Sequence, residues 1–291
     1  MGMRRFEKVL SALADCLLEK ENIGTIGENK KKDVGKVKVV HEIWEGIPLL
    51  NVAAEDRFAE ALPTVVFFHG HMSAKEHNLH YAYQLANEGM RVILPDAHLH
   101  GDRDEGLDEI QMSLRFWEIV LTSIEELAII HTAIYEKNLA VGEIGIGGTS
   151  MGGITTLGAL TVYPWIKAAS VMMGAANYVQ LAKAQMAQFE SKGFKLPITD
   201  DERKQMLDTL ARFDGTKNRA VFQQRPLFFW HGEQDTTVPF EPTFNFYNAL
   251  KEDYAEVPER IRFMREKESG HAVSRPGMLA AMAWLAEHVA E

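Results

Sequence analysis

The feature that most constrains the fold is a serine set between two glycines, Gly148-x-Ser150-x-Gly152, in the middle of the chain. This spacing is typical of a nucleophile elbow, a sharp strand-to-helix turn whose neighbouring residues must be small for the turn to close. Residues 143–147 before it have the pattern of a short buried strand, and residues 154–160 after it can continue as a helix. The serine therefore stands in the strand-turn-helix context that such an elbow requires.

Short apolar runs alternate with longer helical patterns along most of the chain. Residues 64–68 form a continuous apolar run, as expected of a strand covered on both faces. Residues 37–44 and 47–53 flank Glu45-Gly46 and predict a hairpin. Further strands are predicted at 91–95, 168–173, 227–230 and 260–265, and helices at 75–87, 113–137 and 278–289. The alternation predicts an α/β fold with a mostly parallel, doubly wound sheet and an antiparallel N-terminal hairpin.

Two segments depart from this alternation. Residues 176–224 hold no convincing strand, and their helical patterns at 178–189 and 201–213 predict a small helical cap inserted over the sheet edge. The interval is too short to bury a substantial core of its own, so we interpret residues 1–291 as a single domain. Residues 1–30 form a predicted N-terminal helical extension, which is a candidate interface if the chain forms a homo-oligomer.

Composition excludes several classes of partner. The net charge of -10 disfavours nucleic acid, whose phosphates are bound by clustered lysine and arginine. No apolar run approaches the roughly 18 residues that span a bilayer, and Glu7, Lys8 and Asp15 interrupt any signal-peptide core. The single cysteine, Cys16, excludes an internal disulfide. We expect a cytoplasmic protein with neither a membrane nor a nucleic-acid partner.

A serine nucleophile needs a histidine base and a carboxylate that orients the histidine. On a doubly wound sheet these groups follow in the order serine, acid, histidine. Asp235 lies in the loop after the predicted strand 227–230. Glu233 is the nearest competitor for the acid role, but it lies closer to the end of that strand. His271 follows the last predicted strand, whereas His288 lies inside the closing helix and could not easily reach an elbow. The predicted catalytic set is therefore Ser150, Asp235 and His271.

An oxyanion formed at the substrate carbonyl also needs backbone donors. The Met151 N–H directly follows the serine, and a second donor is expected from the loop after the strand 64–68. In that loop Gly70 lets the chain turn, so that the His71 N–H can point at the oxyanion. The side chains of His69 and His71 are equally compatible with packing or loop hydrogen bonding.

Other interpretations stay open at this point. The string His98-x-His100-x-Asp102 is similar to a metallohydrolase ligand pattern, although its spacing is short and it leaves the elbow without a purpose. A dinucleotide site would need a glycine where Ser150 stands. A non-catalytic binding protein on the same fold is a third alternative. We expect no metal and no cofactor.

The motifs carry a family resemblance that covers the chain from about residue 37 to its end. They occur in one order: His69-Gly70, Pro95-Asp96-x-x-x-His100-Gly101, Gly148-x-Ser150-x-Gly152, His231-Gly232-x-x-Asp235-x-x-Val238-Pro239 and Gly270-His271. In this the chain resembles the α/β-hydrolase superfamily, specifically its dienelactone-hydrolase-like and prolyl-oligopeptidase-like esterases. The segment 69–78 further resembles a small group of bacterial esterases typified by YitV and YjfP.

The resemblance implies an α/β-hydrolase fold with Ser150, Asp235 and His271 as a triad that hydrolyses short acyl esters. Dienelactone hydrolases proper use a cysteine nucleophile, and prolyl peptidases add a propeller domain for which this chain has no room. The hypothesis is a serine carboxylesterase acting through an acyl-enzyme on a small-molecule ester. A thioester or a small amide fits the same machinery. The acyl pocket is expected to use the cap residues Met186, Phe189, Met206 and Phe213.

Overall fold

An eight-stranded sheet organises the part of the chain that the computed structural model describes, residues 35–193, 196 and 198–290. Its strands are β1 (Val37–Trp44), β2 (Ile47–Ala54), β3 (Thr64–Phe68), β4 (Arg91–Pro95), β5 (Gly145–Thr149), β6 (Ala169–Met172), β7 (Leu227–Gly232) and β8 (Ile261–Glu266). They lie in the order β1-β2-β4-β3-β5-β6-β7-β8. The pairs β1–β2 and β2–β4 are antiparallel, and all other neighbours are parallel. The predicted mostly parallel sheet with an antiparallel hairpin is confirmed.

The hairpin turn follows from its two residues. Glu45 and Gly46 have φ angles of 48° and 83°, and two positive values in a row define the tight turn whose twist matches a hairpin. Inward from the hairpin, every residue of β3, β4, β5, β6 and β7 is buried. Continuous burial explains why these strands appear in the sequence as unbroken runs of apolar and small residues.

Helices cover both faces of the sheet. In chain order they are α1 (Leu79–Asn87), α2 (Glu109–Leu114), α3 (Phe116–Glu136), α4 (Met151–Val162), α5 (Tyr178–Ser191), α6 (Asp200–Ala211), α7 (Phe240–Asp253) and α8 (Arg275–Ala290). Helices α1 and α8 share one apolar core, and α3, α4 and α7 contribute to the core of the opposite face. No helix in the described residues is long and apolar enough to cross a membrane.

The prediction of one helix over residues 113–137 with Ser113 as its N-cap is wrong. Asp108 caps α2 instead: its carboxylate accepts the Gln111 N–H at 2.8 Å, and the Gln111 side chain accepts the Asp108 N–H at 2.9 Å. This reciprocal pair satisfies donors that a helix start leaves free, so the helix begins earlier. The chain then departs from helical geometry at Arg115, where ψ is 7°, before α3 begins.

The interval between β6 and β7 contains α5, α6 and a short 3-10 turn at Arg219–Phe222, and no strand among its described residues. Asp214 anchors the start of α5, because its carboxylate accepts the Val179 N–H at 3.0 Å. Thr199 and Glu202 form a reciprocal cap at the start of α6. The described residues all belong to one compact unit, Gly35–Glu291. The predicted helical extension over residues 1–30 lies outside the described residues.

Candidate active site

Ser150 occupies the turn between β5 and α4 in a backbone conformation that side chains rarely adopt. Its φ is 55° and its ψ is -118°. The two flanking glycines leave no space for a larger residue: a Cβ on Gly148 would overlap the backbone of Gly152, and a Cβ on Gly152 would overlap the carbonyl of Phe68. The strained serine is held in place by its own N–H, which donates to the Met172 carbonyl at 2.9 Å.

Two hydrogen bonds link the three predicted side chains. Ser150 Oγ lies 2.8 Å from His271 Nε2, and His271 Nδ1 lies 2.7 Å from Asp235 Oδ2. Asp235 follows β7, and His271 lies between β8 and α8, so three different loops at the carboxyl ends of strands supply the set. The competing residues lie elsewhere: Glu233 pairs with Arg265, and His288 packs on Trp284 within α8.

Asp235 is surrounded by donors. Its Oδ1 accepts the N–H groups of Thr237 at 2.9 Å and Val238 at 3.0 Å, while its Oδ2 accepts from His271. Burial opposes the charge, but the hydrogen bonds from His231, His271 and Val238 outweigh it and hold the pKa of Asp235 well below its usual range. Because an ionised carboxylate only accepts, the proton of neutral His271 lies on Nδ1. Its Nε2 is then free to accept the Ser150 proton.

His231, the last residue but one of β7, is a neighbour of Asp235 that the sequence indicated only as part of a motif. Its Nε2–H donates to the Val238 carbonyl at 2.9 Å and lies 3.3 Å from Asp235 Oδ2. The ring is fully buried, and its Nδ1 has no hydrogen-bond partner in the described structure. His231 therefore ties the acid to the loop that carries it.

The loop that carries His271 is fastened by Glu266, which sequence reasoning missed. The Glu266 carboxylate accepts the Trp230 Nε1–H at 3.0 Å and the Ser269 hydroxyl at 2.8 Å, and it also accepts the Ser274 hydroxyl. Burial raises the pKa of Glu266, but these bonds outweigh it and lower the pKa. Gly232 lets the two loops approach, because a Cβ there would overlap the Ser269 and Gly270 carbonyls.

The predicted oxyanion loop lies directly against the serine. A Cβ on Gly70 would be 3.6 Å from the Ser150 Cβ, and His71 lines the same cavity as Ser150. Within the described part of the chain, neither the His71 N–H nor the Met151 N–H donates to another protein group. Two unpaired backbone donors therefore stand beside the serine.

Two buried histidines connect this loop to the segment after β4. His69 Nδ1–H donates to the Gly70 carbonyl at 2.8 Å, and its Nε2 accepts the Ala97 N–H at 3.0 Å. His100 uses its ring in the same way, accepting the Met72 N–H at 3.0 Å. Burial lowers the pKa of His69 to about 4, and that of His100 also lies below its usual value. His69 is thus the loop hydrogen-bonding group that the sequence allowed.

His71 differs from His69, because both of its ring nitrogens are buried without a hydrogen-bond partner. Its ring makes edge contacts with Phe116 and His100, each at 5.6 Å between centroids. Burial lowers the pKa of His71 to about 4. The side chain is therefore a packing group.

A buried ion pair supports the same segment. Lys75 Nζ donates to Asp96 Oδ2 at 2.7 Å and to Asp102 Oδ2 at 2.8 Å. Burial opposes the ammonium charge, but the surrounding carboxylates outweigh it and raise the pKa of Lys75. The three residues of the string His98-x-His100-x-Asp102 have separate partners. His98 pairs with Glu118, His100 accepts the Met72 N–H, and Asp102 accepts from Lys75. Across the described residues, no group of three or more His, Cys, Asp or Glu side chains is arranged to hold a metal ion.

Ser150 opens into a cavity of about 530 Å³. Its lining comes from the oxyanion loop, α2, the start of α3, α4, the Asp235 loop and α5, with its neighbouring Lys192. Of the four predicted pocket residues, Phe189 lines this cavity, and Met186 and Met206 line a smaller one beside it. Phe213 lines neither and packs against the main core instead.

Comparison with known proteins agrees with this architecture. The model of the prolyl oligopeptidase family matches residues 125–290, more than half of the chain. YitV from Bacillus subtilis (strain 168), named as a candidate esterase, is 41% identical over 249 residues, covering 85% of this chain and 98% of YitV. Esterase YjfP from Escherichia coli (strain K12) is 32% identical over 210 residues, covering 71% of this chain and 82% of YjfP.

Among solved structures, TT1662 from Thermus thermophilus matches with a TM-score of 0.68 at 20% identity, covering 88% of this chain and 99% of TT1662. Identity at that level supports the fold alone. Together with the sheet order it establishes the α/β-hydrolase fold. The family match and the two relatives show the family as well as the fold: the chain belongs to the prolyl oligopeptidase family of hydrolases.

Proposed function

We propose that this protein is a serine carboxylesterase that hydrolyses short acyl esters through an acyl-enzyme. The single observation that carries the proposal is the chain of hydrogen bonds from Asp235 through His271 to Ser150, at 2.7 and 2.8 Å. The names of the esterase relatives YitV and YjfP support an ester as the substrate. The strained elbow supports Ser150 as the nucleophile, because it exposes the hydroxyl at the end of the sheet.

In the first step Ser150 Oγ attacks the ester carbonyl while its proton passes to His271 Nε2. A C–O bond forms, and the carbonyl π electrons move to oxygen. The resulting oxyanion accepts hydrogen bonds from the N–H groups of Met151 and His71. His271, now cationic and paired with Asp235, gives its proton to the alcohol oxygen as the C–O bond to the alcohol breaks. The alcohol leaves, and the acyl group remains on Ser150.

In the second step water replaces the alcohol. His271 accepts a proton from water as the water oxygen attacks the acyl carbonyl, and it returns the proton to Ser150 Oγ as the acyl-enzyme bond breaks. Each preorganised backbone donor in such an oxyanion site contributes about 3 kcal/mol of transition-state stabilisation. Asp235 stays ionised throughout, since its low pKa keeps the proton on His271.

The test compares Ser150→Ala with Ser191→Ala, a matched serine at the exposed end of α5. Hydrolysis of p-nitrophenyl acetate and labelling by a fluorophosphonate probe are measured for both variants. We expect Ser150→Ala to lose several orders of magnitude in kcat and all labelling, and Ser191→Ala to keep both. Hydrolysis at the original rate in Ser150→Ala would contradict the proposal. Hydrolysis rates for a butyrate ester, a butyryl thioester and a butyryl anilide then identify the preferred leaving group.

A further inference from the structure

A second cavity of about 120 Å³ adjoins the Ser150 cavity, and we name it the side chamber. It lies between the α2–α3 junction and the helices α5 and α6. Its apolar walls include Leu114, Trp117, Ala182, Met186 and Met206. Ser113, Gln185 and Phe189 line both cavities, so the side chamber and the Ser150 cavity share part of their lining.

The polar groups of the side chamber are confined to its boundary with the Ser150 cavity. Ser113 and Gln185 are the polar residues among its lining. The one indole donor in the wall is satisfied, because Trp117 Nε1–H donates to Gln185 Oε1 at 2.8 Å. Beyond that boundary the walls offer aliphatic, thioether and aromatic surface. Water gains few hydrogen bonds in such a space, so an apolar group is the better occupant.

Size narrows the occupant further. A dry apolar cavity of about 150 Å³ lined by aliphatic and aromatic side chains binds a benzene molecule. The side chamber is slightly smaller, which limits its occupant to about a single ring. The rings of Trp117 and Phe189 stand in its walls and offer faces and edges to an aromatic guest.

We propose that the side chamber receives the aryl group of an aryl-terminated ester while its carbonyl lies at Ser150. This inference rests on the proposed function and names its substrate class: esters with one ring attached through a short alkyl linker. The ring belongs either to the acyl part or to the alcohol part, since both extend from the same carbonyl. Burial of a ring of this size corresponds to a gain of about tenfold or more in kcat/KM.

The test uses four esters: ethyl acetate, ethyl 3-phenylpropanoate, 3-phenylpropyl acetate and, as an alkyl control without a ring, ethyl octanoate. In the wild type at least one aryl ester should exceed ethyl acetate in kcat/KM by about tenfold or more. Ala182→Leu fills the side chamber and should reduce that ratio by about tenfold. The matched control is Ala184→Leu, at an exposed position of the same helix, which should leave the ratio unchanged. The aryl ester that loses its advantage identifies which part of the substrate carries the ring.

Met206→Trp fills the side chamber from α6 at a half-buried position and covers the case in which Ala182→Leu fails to fold. Thermal unfolding verifies that each variant is folded. A ratio that neither filling variant changes would overturn the proposal, as would a loss confined to ethyl octanoate. Failure of the proposed function gives a different result, because Ser150→Ala would then hydrolyse all of these esters at the wild-type rate.

Discussion

The strand-end loops and the helix α5 of the predicted cap line the same cavity, but the loops and the cap are held by different forces. In the loops, donors and acceptors fix each functional group: Asp235 is 6% exposed and accepts from both backbone and imidazole groups. In the cap, α5 buries only Tyr178, Ala182 and Met186, and α6 buries only Leu210. Hydrogen bonds have directions, whereas apolar contacts tolerate small shifts. We therefore expect the loops to fix the proposed chemistry and the predicted cap to vary the substrate.

The strongest test of this contrast places one methyl group in each region. Gly148→Ala should lose more than about 4 kcal/mol of unfolding free energy, because the new Cβ would overlap the Gly152 backbone, which cannot move aside. Gly193→Ala, after α5, adds a methyl group in open space at a φ of 84° and should lose about 1 kcal/mol. Chemical denaturation measures both. Equal losses would contradict the contrast.

A buried aspartate in each region provides the second test. In Asp235→Asn the new amide N–H₂ would face the N–H groups of His231 and His271, so His271 must move its proton to Nε2 and cannot accept from Ser150. We expect kcat to fall by about 10⁴-fold. Asp214→Asn should lose about 1 kcal/mol of stability at the start of α5 and change kcat by less than about tenfold. Steady-state kinetics with thermal unfolding separate the two effects.

His231 measures how far the loop network extends beyond the three linked side chains. His231→Leu removes the N–H that reaches Val238 and Asp235, and a hydrogen bond to a charged group contributes about 1.5–3 kcal/mol. We expect kcat to fall by about 10- to 100-fold with little change in KM. His231→Gln places an amide N–H at the same distance along the side chain and should recover most of the loss. An unchanged kcat in His231→Leu would show that the hydrogen bonds needed for turnover do not extend beyond Asp235.

The smallest effect is expected at the two histidines of the oxyanion loop. His71→Phe removes two unpartnered ring nitrogens and should raise the unfolding free energy by about 1 kcal/mol at pH 7. His69→Phe leaves the Ala97 N–H and the Gly70 carbonyl without their partner and should lower it. Denaturant titrations check the opposite signs. A loss in both variants would show that His71 is held by more than packing.

The pKa of His71 adds a pH dependence with a definite sign. The unfolded chain binds a proton on this residue below about pH 6.5, while burial keeps the folded form neutral down to about pH 4. Because only the unfolded chain gains this proton, the free energy of unfolding falls as the pH falls from 6.5 towards 4. The fall is at most about 1.4 kcal/mol per pH unit. His71→Phe should lose this part of the slope, so its advantage grows at pH 5. The same titrations repeated at pH 5 measure it.

Much of the sheet could be predicted because its strands are buried on both faces and carry their own local signal. β3 and β4 begin and end at the predicted residues, 64–68 and 91–95. The start of α2 also has a local signal, because Asp108 and Gln111 have the spacing of a reciprocal cap. The break at Arg115 has no comparable signal in the sequence. It lies beside residues that make remote contacts: Phe116 packs on His71, and Trp117 packs on Tyr178 of α5.

The candidate site divides in the same way. By itself the sequence determined the elbow and the order of serine, acid and histidine, because the turn demands small neighbours within five residues. Only the tertiary structure decided that Asp235 and not Glu233 meets His271, and that His231 and Glu266 support them. Ser150 and His271 are separated by 121 positions, so their meeting depends on the register of parallel strands. The side chamber likewise exists only where α5 and α6 pack beside α3.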